Sequence, residues 1–411
     1  MRANKWMAGG LLCGLCLCLP PMTTAQTAGT EPPGIALPDS LPQKAVPPPA
    51  QTSSKPQTGA IGATGTAKPV RLTLLLPLGS DSLGPAANAV RAGFLAAYDL
   101  EKDGLALKVV TTSDIPEEIV SSYTNSLPDS DIVIGPLTRS ATAAIADSGA
   151  VRLPTIALTQ SDAGSDTAPT LPPPMLAMGL SVEDEAREAA GWIAGNKVKK
   201  AYALGTSAAW QRRAAKAFAA RARSLGLEVE TIELGSSYGF LSALDLERVK
   251  KEVQAEKSTS TYAVFAALDA QQSKQLREVI GNEPAIYGTA QMNPVPLPER
   301  ITAEHFPELN GVRLLDIPWQ LQPDHAAVMI YPRAVVDANQ KRSADMERLY
   351  ALGIDAFRVA LQIAQQHKQF EVDGVTGRLK VTLDKDGGHF ERIEPFAIYR
   401  DGLATFLSDG H

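Results

Sequence analysis

The chain has 411 residues, 44% of them hydrophobic and 20% charged, with 30 prolines, three cysteines and a formal charge of −6. The length excludes a lone small module, and the acidic balance argues against the basic footprint of a nucleic-acid binder. Eleven of the prolines and all three cysteines (Cys13, Cys16 and Cys18) fall within the first 70 residues, so the remainder can hold neither a disulfide nor a thiolate metal site.

Residues 1–25 read as an export signal. Arg2 and Lys5 precede an apolar run from Met7 to Leu19, and Thr23 and Ala25 supply small residues for cleavage after Ala25. That run falls short of the ~20 residues that span hydrocarbon, and no later stretch is apolar for long enough; a buried N-terminal helix is the alternative reading. Cys18 follows Leu15-Cys16-Leu17, a poor lipobox, so an outer-membrane lipid anchor is doubtful and a soluble exported product is expected. Losing Arg2 and Lys5 with the leader takes the charge from −6 to −8. Residues 26–69, rich in Pro, Thr, Ser, Gly and Ala, cannot bury enough apolar surface to offset the cost of ordering. They read as a disordered tether, on the order of 140 Å long if wholly polyproline II.

From Val70 the pattern changes to short apolar runs alternating with helical stretches. VRLTLLLPL (70–78) predicts a strand, and Leu83, Ala87, Val90, Phe94 and Ala97 then recur at helical spacing. LALKVVTT (105–112), a helix over 116–126, DIVIGPL (131–137), a helix over 140–147 and PTIALT (154–159) continue the series. Unbroken apolar strands alternating with helices indicate a parallel sheet covered on both faces. The same pattern repeats from MLAMGLS (175–181) through KAYALG (200–205), LEVETIEL (227–234), YAVFAAL (262–268) and AIYGTA (285–290), with helices between. VRLLDIPWQ (312–320), a helix over 345–366 and a terminal hairpin turning at Asp386-Gly387-Gly388 complete the chain. The expected fold is α/β: two doubly wound, Rossmann-like lobes with several crossings between them. Lobe 1 takes about 70–181 plus part of 340–411, and lobe 2 about 182–320.

No catalytic constellation emerges. The histidines at 305, 325, 367, 389 and 411 lack metal-ligand spacing, and there is no G-x-S-x-G elbow, Walker A loop or S-x-x-K motif. No enzyme, cofactor or metal is expected, and a wall hydrolase is set aside for want of a nucleophile. Glu183-Asp184-Glu185 open a helix, where the dipole favours acids in any case.

Hydroxyl residues provide the positive signal. Ligands of open parallel sheets bind beyond the strand carboxyl ends, and three first-lobe strands end in such residues: Ser80 and Ser82, Thr138 and Ser140, Thr159 and Ser161. Ser and Thr are also the ordinary helix N-caps, so only their convergence on one rim favours a ligand. Trp210 either closes over that ligand or packs as a core aromatic at helical spacing with Ala214 and Phe218.

At these residues the sequence resembles type I periplasmic binding proteins and, more narrowly, the LppC family of penicillin-binding protein activators, the LpoA type. The resemblance rests on RLTLLLPLGSDSLGPAANAVRAGFLAAYD (71–99), DIVIGPLTRSA (131–141), LNGVRLLDIPWQL (309–321), RLYALGIDAFRVA (348–360) and GVTGRLKVTLDKDGGHFERIEPFAIYRDG (374–402), of which DIPW and LYALGIDAFR are the most specific. It implies a non-enzymatic periplasmic regulator that docks on a class A penicillin-binding protein and stimulates peptidoglycan synthesis. Enterobacterial members carry a helical-repeat domain and a lipid anchor where this chain has its tether and poor lipobox. Trp319, behind the rigid Pro318, is then either a presented partner-contact aromatic or a lobe-interface core residue. The alternative function is a solute-binding protein of an amino-acid or small-anion transporter. A small-molecule or wall-derived ligand would occupy its cleft, although Gly205-Thr206-Ser207-Ala208-Ala209-Trp210 offers no acid for a ligand ammonium.

Overall fold

The computed structural model describes residues 68–160, 171–256, 261–335, 341–384 and 387–408. The expected leader, all of the tether but its last two residues, Ser161 and the turn residue Asp386 lie outside the described residues. Chain order runs β1 (Val70–Leu76), α1 (Gly84–Tyr98), β2 (Leu105–Thr111), α2 (Pro116–Ser126), β3 (Ile132–Ile134), α3 (Arg139–Asp147), β4 (Thr155–Ala157) and β5 (Met175–Ala177). There follow α4 (Val182–Gly195), β6 (Lys200–Thr206), α5 (Ala209–Ser224), β7 (Glu228–Leu234), the two-residue strands β8 (Ser236–Ser237) and β9 (Phe240–Leu241), α6 (Ala243–Glu256), β10 (Tyr262–Ala266), α7 (Ala270–Ile280), β11 (Ala285–Gly288) and β12 (Arg313–Leu315). The last part holds α8 (Pro318–Leu321), α9 (Ala326–Ile330), α10 (Ala344–Ala364), β13 (Gln369–Asp373), β14 (Arg378–Asp384), β15 (Gly387–Ile393), β16 (Phe396–Arg400) and β17 (Leu403–Phe406).

The first sheet has the order β2-β1-β3-β4-β5, parallel throughout. The second repeats that winding as β7-β6-β10-β11-β12 and adds β16 and β17 antiparallel beyond β12. The two doubly wound lobes expected from the alternating pattern are thus present. Each order reverses once, between β1 and β3 and between β6 and β10, which puts a crevice at the carboxyl ends of both sheets.

β1 shows why an unbroken apolar run was required. Leu72, Leu74 and Leu76 enter one core with α1 and α10, while Leu75 enters another on the opposite face with Ile119 and Tyr123 of α2 and Ile145 of α3. Thr73, also fully buried, keeps its hydroxyl bonded to Ser130 at 2.6 Å. In the second lobe Tyr202 and Leu204 face one core, and Ala201 and Ala203 the other.

α1 and α10 cross at two glycines. A Cβ on Gly353 would lie 2.0 Å from the Val90 carbonyl oxygen, and one on Gly93 1.8 Å from that of Tyr350, so only glycine permits this backbone contact. α10 thereby belongs to the first lobe although it follows most of the second in sequence. Three segments cross between the lobes: β5 to α4, β12 through α8 to α10, and β15 to β16. α8 lies at the second crossing, with Trp319 in the first lobe's core and Leu321 in the second's. β13, β14 and β15 form a separate antiparallel sheet.

Candidate functional site

The rim at the carboxyl ends of the first sheet is built mainly of short-range hydroxyl bonds, one of which caps a helix. Ser80 follows β1; its hydroxyl donates to Asp114 at 3.0 Å, accepts the Leu83 amide at 3.1 Å and lies 3.2 Å from the Ser82 hydroxyl. Thr138 is the N-cap of α3, accepting from the Ala141 amide at 3.3 Å, and its hydroxyl is 3.5 Å from that of Ser140. Thr159 is half-buried at the end of β4, and Trp210 is half-buried on the first turn of α5. The structure therefore joins Ser80 with Ser82 and Thr138 with Ser140. No hydrogen bond links the two pairs among the described residues.

A denser polar cluster occupies the lobe crossings, built by the start of DIPW and by residues of α10 just ahead of LYALGIDAFR. Asp316, which ends β12 and opens DIPW, is fully buried, as is Arg348 of α10 within a few per cent. The guanidinium meets the carboxylate through two bonds, Nε to Oδ1 at 2.9 Å and Nη2 to Oδ2 at 2.7 Å. It also donates to Asp345 and to the carbonyls of Ala290 and Asn293 at 2.8–2.9 Å. Asn293 and the Ile317 amide complete the Asp316 carboxylate. Burial alone would lower the Arg348 pKa, but the Asp316 charge and hydrogen bonds outweigh it and hold the guanidinium above its ordinary value. Arg348 thus ties a first-lobe helix to the loop after β11 in the second lobe.

Trp319 is fully buried, so the reading of it as a presented partner contact is corrected. Its ring stacks under the Arg333 guanidinium at 3.9 Å and tilts against Tyr350 at 5.5 Å. Its Nε1 donates to Glu347 at 2.7 Å, and Glu347 also pairs with Arg342. Pro318 does not project the indole: it starts a single helical turn that folds it inward. Further along LYALGIDAFR, buried Asp355 accepts from the Val375 amide at 3.1 Å and from the Thr376 amide and hydroxyl at 2.7 Å, fixing the turn before β14.

Carboxyls crowd the first and third crossings. Glu185 of α4 accepts the Ala290 amide at 2.6 Å, and Glu188, one turn on, accepts weakly from the Glu394 amide. Glu394, between β15 and β16, is buried with its Oε2 lacking a hydrogen-bond partner. Burial pushes the Glu185 pKa up to about 8 and that of Glu188 to about 7, with neighbouring carboxylates adding to both. Glu394 is raised well above the ordinary range for the same reasons, burial first. Arg392 opposes that crowding and bonds the carbonyls of Met178 and Gly179 at 2.9 and 2.6 Å, tying β15 to the first crossing.

Sequence reasoning placed Glu185 with the dipole-favoured acids of a helix start and missed this role. A signal was present: Glu185 lies one turn before Ala189 and two before Ile193, both on the buried face of α4. The whole cluster positions backbone and neutralises buried charge. Among the described residues no group of His, Cys, Asp or Glu is arranged to hold a metal, and no helix is long and apolar enough to cross a membrane.

Comparison with known proteins agrees with this architecture. The family model described as "LppC putative lipoprotein" matches residues 57–392. A solved "putative branched-chain amino acid ABC transporter" from Chromobacterium violaceum is 30% identical with a TM-score of 0.61, over 80% of this chain and 100% of that one. The C-domain of LpoA from Haemophilus influenzae, described as a regulator of PBP1A, is 21% identical with a TM-score of 0.63, over 82% of this chain and 99% of that one. Full-length LpoA from the same organism gives 21% and 0.64, but the match covers only 59% of its length. At those identities the LpoA likeness establishes the fold, that of type I periplasmic binding proteins. A search of curated proteins finds no match.

Proposed function

The chain belongs to the LppC family, and from that premise we propose that it is an exported, non-enzymatic regulator of peptidoglycan synthesis that docks on a class A penicillin-binding protein and activates it. The observation that carries this reading is where the distinctive sequence goes. DIPW and LYALGIDAFR are spent on the interior: Asp316 of DIPW takes the guanidinium of Arg348, the residue just ahead of LYALGIDAFR, and so ties the lobes, while Trp319 packs against Tyr350 in the first lobe's core. Buried charge pairs that must be broken to change geometry favour a body of fixed shape, which suits a docking module better than a closing trap. Residues 1–25 would export the chain and residues 26–69 would give it reach.

The test uses the purified mature chain and class A synthases. Enrichment in a pull-down together with faster glycan polymerisation is expected; neither effect appearing would sink the proposal.

The 30% identity to the Chromobacterium structure supports a second reading, a solute-binding protein. There Ser80, Ser82, Thr138, Ser140, Thr159 and Ser161 would supply donors and Trp210 a cover. A ligand at 100 times its Kd adds roughly 2.7 kcal/mol of stability. A thermal-shift screen across amino acids and muropeptides that stays flat removes this reading.

A further inference from the structure

α5 is chemically unlike the rest of the molecule. In a chain of net charge −6 it carries Arg212, Arg213, Lys216, Arg221 and Arg223 and no acidic residue. Its buried side, Gln211, Ala214, Ala215, Phe218, Ala219 and Ala222, fixes the helix on the second sheet and turns the cations outward. Between those cations the face is floored by alanine, and it opens into a groove of about 860 Å³ shared with α4 and the ends of β6 and β7.

The groove walls hold two carboxylates, Glu183 and Glu233. Glu183 is already satisfied: Arg213 contacts it at 2.8 Å and Arg139 at 3.0 Å, and their charges keep its pKa low although burial works the other way. Arg212 and Arg221 are exposed and make no ion pair among the described residues.

We infer that this groove is a binding site for an acidic peptide segment, an Asp- or Glu-bearing stretch of a protein partner. Guanidinium forks match carboxylates through paired hydrogen bonds. From Arg212 to Arg223 the helix rises about 16 Å, the length of about five residues of extended chain. The concave form disfavours a flat anionic membrane, which cannot follow the groove, whereas an extended peptide can. The inference goes beyond the synthase reading and stands on α5 alone, so a failed synthase pull-down leaves it untouched.

The experiment is fluorescence anisotropy of a labelled hexaglutamate peptide with the full chain. Binding is expected to weaken steeply between about 0.01 M and 0.1 M ionic strength, as the screening length falls from ~30 to ~10 Å. Arg212→Gln with Arg221→Gln, both surface changes that leave the melting temperature unaltered, is expected to lose about tenfold in affinity, or 1.4 kcal/mol. Lys250→Gln with Lys251→Gln on α6 is expected to lose nothing. The inference is overturned if the wild type does not bind, if the α6 variant loses as much as the α5 variant, or if phosphatidylglycerol vesicles bind the wild type through α5 while the peptide fails to displace them.

Discussion

The first-lobe rim and the lobe junction are both polar regions near the crevice, yet they are built in opposite ways. At the rim, short hydroxyl side chains mostly bond groups a few residues away, as Thr138 does for the Ala141 amide, and only Ser80 reaches further, to Asp114. At the junction, charged side chains join residues far apart in sequence, Arg348 with Asp316 across 32 positions and Arg392 with Met178 across 214, the first pair buried. A local cap stabilises one helix end and can be lost singly; a buried charge network couples whole lobes, and each member leaves another uncompensated when removed.

The largest effect is therefore expected at Arg348. Arg348→Met strands the fully buried Asp316 carboxylate, and urea unfolding should show a loss of about 3–5 kcal/mol. Adding Asp316→Leu should restore much of it, because two apolar groups replace two opposite charges. If the single variant unfolds within about 1 kcal/mol of wild type, the junction is not the lock described above.

Gly353→Ala ranks next. The new Cβ would meet the Val90 carbonyl at 2.0 Å, so α1 and α10 must separate, at a cost of about 1–3 kcal/mol for overpacking. A melting temperature that does not fall would show that the crossing yields more readily than its backbone contact implies.

The junction should also respond to pH in a way that the rim does not. Glu185 and Glu188 titrate near 8 and 7 in the folded chain, above the ordinary carboxylate range, because burial disfavours their charged forms. The folded state thus holds protons that the unfolded chain releases, and this contribution to stability is lost as pH rises from that range through about 8. Glu185→Gln, a permanently neutral mimic, should match wild type in mild acid, exceed it above pH about 8 and flatten the intervening slope. Chemical denaturation across that window checks the sign; a parallel slope in both proteins would place the linkage elsewhere.

How much of this was legible in the sequence follows from the range of each interaction. β1 and α1 announced themselves because burial on two faces demands an unbroken apolar run and burial on one side demands helical spacing, both local signals. Thr138 was legible as a cap for the same reason. Asp316 and Arg348 stood inside the recognisable stretches, but nothing local says that they meet, since their pairing depends on how three crossings superimpose. Trp319 misled because a proline before an aromatic reads equally as a presented turn or a helix start, and only the buried Glu347 decided the matter. β13 went unread because QFEVD, largely exposed, carries too weak an alternation to be told from a loop.

The smallest expected effect returns to the rim. Thr138→Ala removes one cap and should cost about 0.5–2 kcal/mol, leaving the amide of buried Ala141 without its side-chain acceptor. Ser80→Ala should do more than its bond to the Leu83 amide implies, because the same hydroxyl also meets Asp114 and Ser82. The comparison with the junction sharpens here. If these hydroxyls serve only α3 and the loop before α1, both variants lose stability by equal amounts with and without an added solute. If they also receive a ligand, any thermal shift that the solute gives the wild type shrinks in the variants by more than the lost cap accounts for. Paired melting curves therefore separate a rim that merely ends its helices from one that binds.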